Sequence, residues 1–177
     1  MRSRSRGTHA DGRLSGGLRL TAAGPHYVTW DPIFRRRPNR PTRVVGHERL
    51  LRTLDRVTRE FREANPGAPR LVVGDISRPR GGDFGRRFGG IGHASHQVGL
   101  DVDIYYPRRD RRLRPPARAS QVDQRLAREL IARFVVAGAS KVFVGRRFVR
   151  GPRSIVQTVP HHEDHLHVRL PISRDGR

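Results

Sequence analysis

Apolar residues recur along the chain in two rhythms. Between Gly46 and Asn65, Leu50, Leu51, Leu54, Val57 and Phe61 fall at helical spacing before the breaker "NPG". The segment is therefore expected to form an amphipathic helix with one face on a sheet. A second helix is expected to start from a capping box of Ser120 with Asp123 and run to about Ala137. It would bury Val122, Leu126, Leu130, Phe134 and Val135. Elsewhere the period is two. In "LDVDIY", Leu100, Val102 and Ile104 alternate with Asp101, Asp103 and Tyr105, the pattern of a half-buried strand. "HLHVRL" repeats it, with His165, His167 and Arg169 on one face and Leu166, Val168 and Leu170 on the other. Shorter strands are expected near Tyr27 to Trp30 and in "RLVVGDI", "KVFVGRRFV" and "SIVQTV", with Gly145 as a turn or bulge.

Between these elements lie segments without period. Residues 1–18, rich in Arg, Gly and Ser, read as a disordered basic arm, and residues 173–177 as a short tail. A chain of 177 residues holds one core, so residues 19–172 are expected to form a single domain. "FRRRPNRPTR" and "YPRRDRRLRPPAR" are proline-broken basic loops. "SRPRGGDFGRRFGGIG" lacks the lysine and hydroxyl residue of a phosphate-binding loop and reads as a mobile rim beside a site. Trp30, Phe84, Phe88, Tyr105 and Tyr106 are candidates either to line a cleft or to fill the core.

Charge widens the range of partners without choosing among them. The formal net charge is +21, and all 37 basic residues but Lys141 are arginine. Nucleic acid, an anionic membrane surface and an anionic wall polymer are all admissible. The arginines are spread along the chain, no DNA-binding motif is present, and aromatic residues make up 6%. A basic nucleic-acid-binding protein or metal-dependent nuclease thus rests on charge alone. The absence of cysteine excludes disulfides and thiolate ligands, so a metal must take nitrogen and oxygen donors. "MRSRSRGTHADGRLSGGLRL" lacks the apolar run of a secretory signal, and no segment approaches the ~20 apolar residues of a membrane helix. The expectation is a soluble chain with no visible export address.

Six of the nine histidines lie in "GHASHQVGLDVDI" and "HHEDHLHVRL". If the two alternating strands are neighbours, their polar faces converge on one small volume. Hydrolytic zinc takes three protein ligands and keeps one position for water, whose pKa it lowers from ~15.7 toward ~7. His96, Asp103 and His167 are assigned as the ligands of one zinc ion. His165, on the face of His167, is placed to handle protons or to stabilise an oxyanion. His93 and His162 either orient ligands or contact the tetrahedral intermediate. His161, Asp101 and Glu163 are read as ordinary polar residues.

His96, Gly99 and Asp103, joined to a distant His165-x-His167, resemble the LAS metallopeptidases, which include lysostaphin-type endopeptidases, D-Ala-D-Ala carboxypeptidases and dipeptidases, and murein endopeptidases. The longer stretch "GDISRPRGGDFGRRFGGIGHASHQVGLDVDI", with "HHEDHLHVRL", is similar to the penicillin-insensitive murein endopeptidases in particular, and the likeness runs from about Leu18 to Ile172. The resemblance implies an α+β fold, a single compact domain with a central antiparallel sheet flanked by helices and one zinc on its open face. It implies hydrolysis of peptidoglycan cross-links, chiefly the D-alanyl to diaminopimelate amide, without an acyl-enzyme that a β-lactam could trap. It also implies His96, Asp103 and His167 as zinc ligands, His165 as catalytic histidine, His93 and His162 as auxiliary histidines, and a periplasmic or cell-wall location. In the related carboxypeptidases and dipeptidases a glutamate base stands where this chain has Asp164, which strand alternation would turn away from the site if the strand has already begun there. A wall-binding domain without catalysis is the remaining alternative.

Overall fold

A computed structural model describes residues 2–85, 93–146 and 151–172. In chain order the elements are β1 (Arg4–Gly7), β2 (Gly12–Ser15), β3 (Leu18–Arg19), β4 (Tyr27–Thr29), β5 (Val45–Gly46), α1 (Glu48–Ala64) and β6 (Leu71–Val73). They continue with β7 (Asp101–Tyr105), α2 (Gln124–Val136), β8 (Lys141–Val144), β9 (Val156–Thr158) and β10 (His165–Arg169). The α+β class expected from the sequence is the one observed.

Helix α1 begins where His47 caps it, its Nδ1 accepting the Arg49 amide at 3.1 Å. Leu50, Leu54, Val57 and Phe61 are buried and Leu51 packs against them from the edge. In α2 the expected capping box is corrected. Asp123 is itself the cap, accepting from the Leu126 amide at 3.1 Å, and Ser120 lies in a preceding 3-10 turn, Ala119–Gln121. Leu126, Leu130 and Phe134 are buried as expected, while Val135 is only partly covered.

Six strands form one sheet in the order β4-β6-β7-β10-β8-β9. The three central pairings are antiparallel, but β4 pairs β6 and β8 pairs β9 in parallel, so the sheet is mixed rather than wholly antiparallel. The parallel β4–β6 pair needs a crossover, and α1 supplies it. Val102, Ile104, Leu166, Val168 and Val142 share one apolar core with the buried faces of both helices. The opposite face carries a small cluster of Val28, Val72 and Tyr105, with Trp30 and Leu113 at its border, and beside it the polar row of β7 and β10.

The largest departure is at the N-terminus. Residues 4–15, expected to be disordered, form the antiparallel ribbon β1–β2. Distant groups hold it: Ser5 Oγ donates to the Val98 carbonyl at 2.7 Å, Gln97 Nε2 to the Ala10 carbonyl at 2.6 Å, and the Leu14 amide to the Arg80 carbonyl at 3.0 Å. Leu14 is buried. Composition does not register such contacts, because each depends on a partner dozens of residues away. The rim segment 86–92, with Phe88, and the tail 173–177 lie outside the described residues.

Candidate metal centre

Strands β7 and β10 are antiparallel neighbours in a register that sets His167 opposite Asp103, Arg169 opposite Asp101 and His165 opposite Tyr105. Three imidazoles converge on one oxygen, Asp103 Oδ1: His96 Nε2 at 3.3 Å, His167 Nδ1 at 3.5 Å and His165 Nε2 at 3.9 Å. His96 Nε2 and Asp103 Oδ1 are buried with no aligned hydrogen-bond partner. Two such orphans side by side cost stability unless something else satisfies them.

The outer nitrogens are all engaged, which fixes what the inner ones offer. His96 Nδ1 donates to the Ile76 carbonyl at 2.7 Å and His167 Nε2 to Asp101 Oδ1 at 2.8 Å, leaving lone pairs on His96 Nε2 and His167 Nδ1 aimed inward. Asp101, fully buried, also receives Arg169 Nε at 2.9 Å on Oδ1 and His9 Nδ1 at 2.5 Å on Oδ2. Its reading as an ordinary polar residue is corrected: it locks the orientation of His167. His9 comes from the tip of the ribbon that composition gave as disordered. His96 has a φ of 70°, a left-handed conformation costly for a residue with a Cβ. Gly99 turns the chain with a φ of 70° where a Cβ would stand 2.9 Å from the His47 amide nitrogen.

The remaining histidines line the same cavity, of about 620 Å³, with Tyr105, Phe143 and Pro160 among the other walls. His93 Nε2 bonds Asp75 Oδ2 at 2.8 Å, and its Nδ1 lies 3.8 Å from Asp103 Oδ2. Asp75 is held in turn by a buried, two-pronged Arg43 and by Asn39. His162 Nδ1 donates to the Pro160 carbonyl at 2.8 Å, and its ring lies 4.7 Å from that of His165 and 6.0 Å from that of His167. Gly145 allows this segment to approach, since a Cβ there would stand 2.7 Å from the His162 carbonyl. His165 Nδ1 bonds Asp164 Oδ1 at 2.7 Å. Asp164 also lines the cavity; β10 begins only at His165, so the alternation that would turn Asp164 away does not reach it. His161 and Glu163 are exposed. Of the aromatic candidates, Tyr105 lines the cavity and Trp30 an adjoining one, whereas Phe84 and Tyr106 are buried.

Burial and opposed charges shift the groups of the center in different directions. Burial would raise the Asp103 carboxyl, yet the facing His96, with His93 and His165, holds it well below the usual range. Burial opposes charge on His96, but Asp103 raises its pKa to about 9. Burial and the charge of His96 lower His167 to about 4 despite its bond to Asp101. Burial is likewise outweighed at His165, which Asp164 and Asp103 raise, and prevails at His162, which is lowered.

Donors about 2.0–2.1 Å from a tetrahedral zinc stand roughly 3.3 Å apart, close to the two separations from Asp103 Oδ1 to His96 and His167. His93, His96 and Asp103 form a possible metal-holding trio, with donor atoms all within 4.8 Å of one another. In that trio His93 contributes the longer approach to Asp103, while its other nitrogen is held by Asp75.

A family model described as penicillin-insensitive murein endopeptidase matches residues 5–141, which include the first histidine cluster and stop before the second. The penicillin-insensitive murein endopeptidase of Haemophilus influenzae is 28% identical over 197 aligned residues, covering 96% of this chain and 64% of that protein. An alignment of that extent reaches across the second cluster as well. The protein of the same description from Escherichia coli is 36% identical over 103 residues, covering 58% of this chain and 32% of its own length. This chain thus spans under two thirds of either relative. Since the family model takes in most of its residues, the chain belongs to the penicillin-insensitive murein endopeptidase family.

Proposed function

We propose that this chain is a zinc-dependent endopeptidase that hydrolyses the peptide cross-links of peptidoglycan, chiefly the D-alanyl to diaminopimelate amide, outside the cytoplasmic membrane. The observation that carries the reading is the meeting of two inward-facing imidazole nitrogens on one orphaned carboxylate oxygen at 3.3 and 3.5 Å. His96 Nε2, Asp103 and His167 Nδ1 would hold the ion. When bound, zinc supplies a Lewis acid and brings the pKa of water from ~15.7 toward ~7.

The other groups act around that center. His165, anchored through Nδ1 by Asp164, presents Nε2 to move a proton between water and the leaving amine. His162, kept neutral by burial, and His93, pinned by Asp75, border the cavity where the scissile amide is positioned. Asp101 keeps His167 in the tautomer that leaves Nδ1 free. Among the described residues no helix is long and apolar enough to cross a membrane.

The test is digestion of cross-linked sacculi by the purified chain, with and without chelator and with plasmid DNA as control. Chelator-sensitive conversion of cross-linked muropeptides to monomers is expected. Inert sacculi after zinc is restored, or degraded plasmid, would contradict the proposal. The place of Asp164 in the cavity favours one second reading, a carboxypeptidase or dipeptidase with Asp164 as base. His165→Ala is expected to abolish cleavage while zinc stays bound. Retained turnover in that variant, with loss in Asp164→Ala, moves the chain to the second reading.

A further inference from the structure

The ribbon β1–β2 has two unlike faces. Its pairing sets Ser5 opposite Leu14 on the face turned to the protein, and Arg4 opposite Ser15 and Arg6 opposite Arg13 on the face turned away. Arg2, Arg4, Arg6 and Arg13 line one surface cavity of about 690 Å³, bordered among the described residues by Leu14 and Ser15 as well. All four arginines are exposed. The sole acid of the ribbon, Asp11, lies in its turn and not in that lining. Among the described residues, none of the four guanidinium groups is paired with a carboxylate.

Like charges directly opposite one another in an antiparallel pair destabilise it. On α1, by contrast, Arg52, Arg56 and Arg59 each sit one turn from a glutamate partner, Glu48, Glu60 and Glu63. The ribbon nevertheless keeps its shape, because Ser5, Gln97 and the Leu14 amide hold its other face. A row of guanidinium groups without carboxylate partners, on a ribbon held from its other face, is a surface suited to an anion supplied from outside. Arg4 and Arg6, two residues apart on one strand, stand about 7 Å apart along it, so the surface repeats, and a repeating anion satisfies it better than a single ion. Guanidinium forks pair with the two unbridged oxygens of a phosphodiester. Among the described residues no aromatic side chain lines the cavity, which leaves nucleic-acid bases without a stacking surface there.

We infer that the N-terminal ribbon binds a flexible phosphodiester polymer without bases, through Arg2, Arg4, Arg6 and Arg13. The inference does not depend on the chemistry at the metal centre. It is tested by titrating the full chain into fluorescently labelled linear poly(glycerol phosphate) across a salt series, with single-stranded DNA of equal charge as competitor. Four contacts give a log–log salt slope of about −3, or roughly a 50-fold loss of affinity between 50 and 200 mM salt. The combined variant Arg4→Ser, Arg6→Ser, Arg13→Ser is expected to flatten that slope by about 2 and to melt no lower than the parent. The variant Arg52→Ser, Arg56→Ser, Arg59→Ser removes the same charge from α1 and is expected to change affinity less than about threefold. Equal losses in the two variants, absence of binding by the parent, or tighter binding of the DNA would each overturn the inference.

Discussion

Strands β7 and β10 present two faces made from adjacent residues, and both faces are buried. Below, Val102, Ile104, Leu166 and Val168 are fully covered and join the helices in one core. Above, Asp101, Asp103 and His167 are covered to nearly the same degree, yet their polar atoms face charged or polar groups. Burial of the lower face stabilises the fold by roughly 25 cal/mol per Å² of apolar area. Burial of the upper face costs stability, and hydrogen bonds and opposed charges offset only part of it, since two buried polar atoms stay unsatisfied. The same strands therefore hold a region that makes the protein fold beside one whose arrangement serves chemistry.

Mutations should separate the two faces cleanly. The largest effect is expected from Asp103→Ala, which removes the oxygen on which the imidazoles converge: zinc affinity and cross-link hydrolysis should each fall more than about 100-fold. Calorimetry and muropeptide analysis check this, and retained zinc binding would break the comparison. Next comes Leu166→Ala on the lower face, expected to cost about 2–5 kcal/mol in denaturant unfolding with no loss of activity per folded molecule. An activity loss larger than the folded fraction explains would show that the faces are not separable. Asp101→Asn, which weakens the acceptor holding His167, should lower zinc affinity about 10- to 100-fold while leaving thermal stability within a few degrees of the parent. The smallest effect is expected from His9→Phe, one step further from the ion. It should weaken zinc binding less than Asp101→Asn does, and a larger loss would mean that the ribbon tip does more than steady Asp101.

Much of the lower face was legible in the chain. Alternation in "LDVDIY" and "HLHVRL" sorted each residue to its side, and helical spacing located α1 almost to its ends. Alternation states which face a residue takes but not which strand lies next to it. The role of Asp101 follows from register alone, because its carboxylate is reached from β10 by His167 and Arg169 and from the ribbon by His9. Asp75 was passed over for the same reason: its partner Arg43 and the His93 it orients are separated from it by 32 and 18 residues. A second aspartate two positions before Asp103, on the same face, was the signal available for Asp101. The ribbon left less trace. Its strands are four residues each, only Leu14 among them is a large buried apolar side chain, and arginine, glycine and serine read as disorder when the groups that bind them are not in view. The side taken by Asp164 hinged on one residue of strand boundary, the least certain feature of any sequence reading.

The account turns on which side chains hold the ion, and anomalous diffraction at the zinc absorption edge from crystals of the metal-loaded chain tests that directly. A single anomalous peak bonded to His96 Nε2, Asp103 and His167 Nδ1, about 2.0–2.2 Å from each, is the expected result. A peak that takes His93 in place of His167, or no peak between β7 and β10 at saturating zinc, would contradict it.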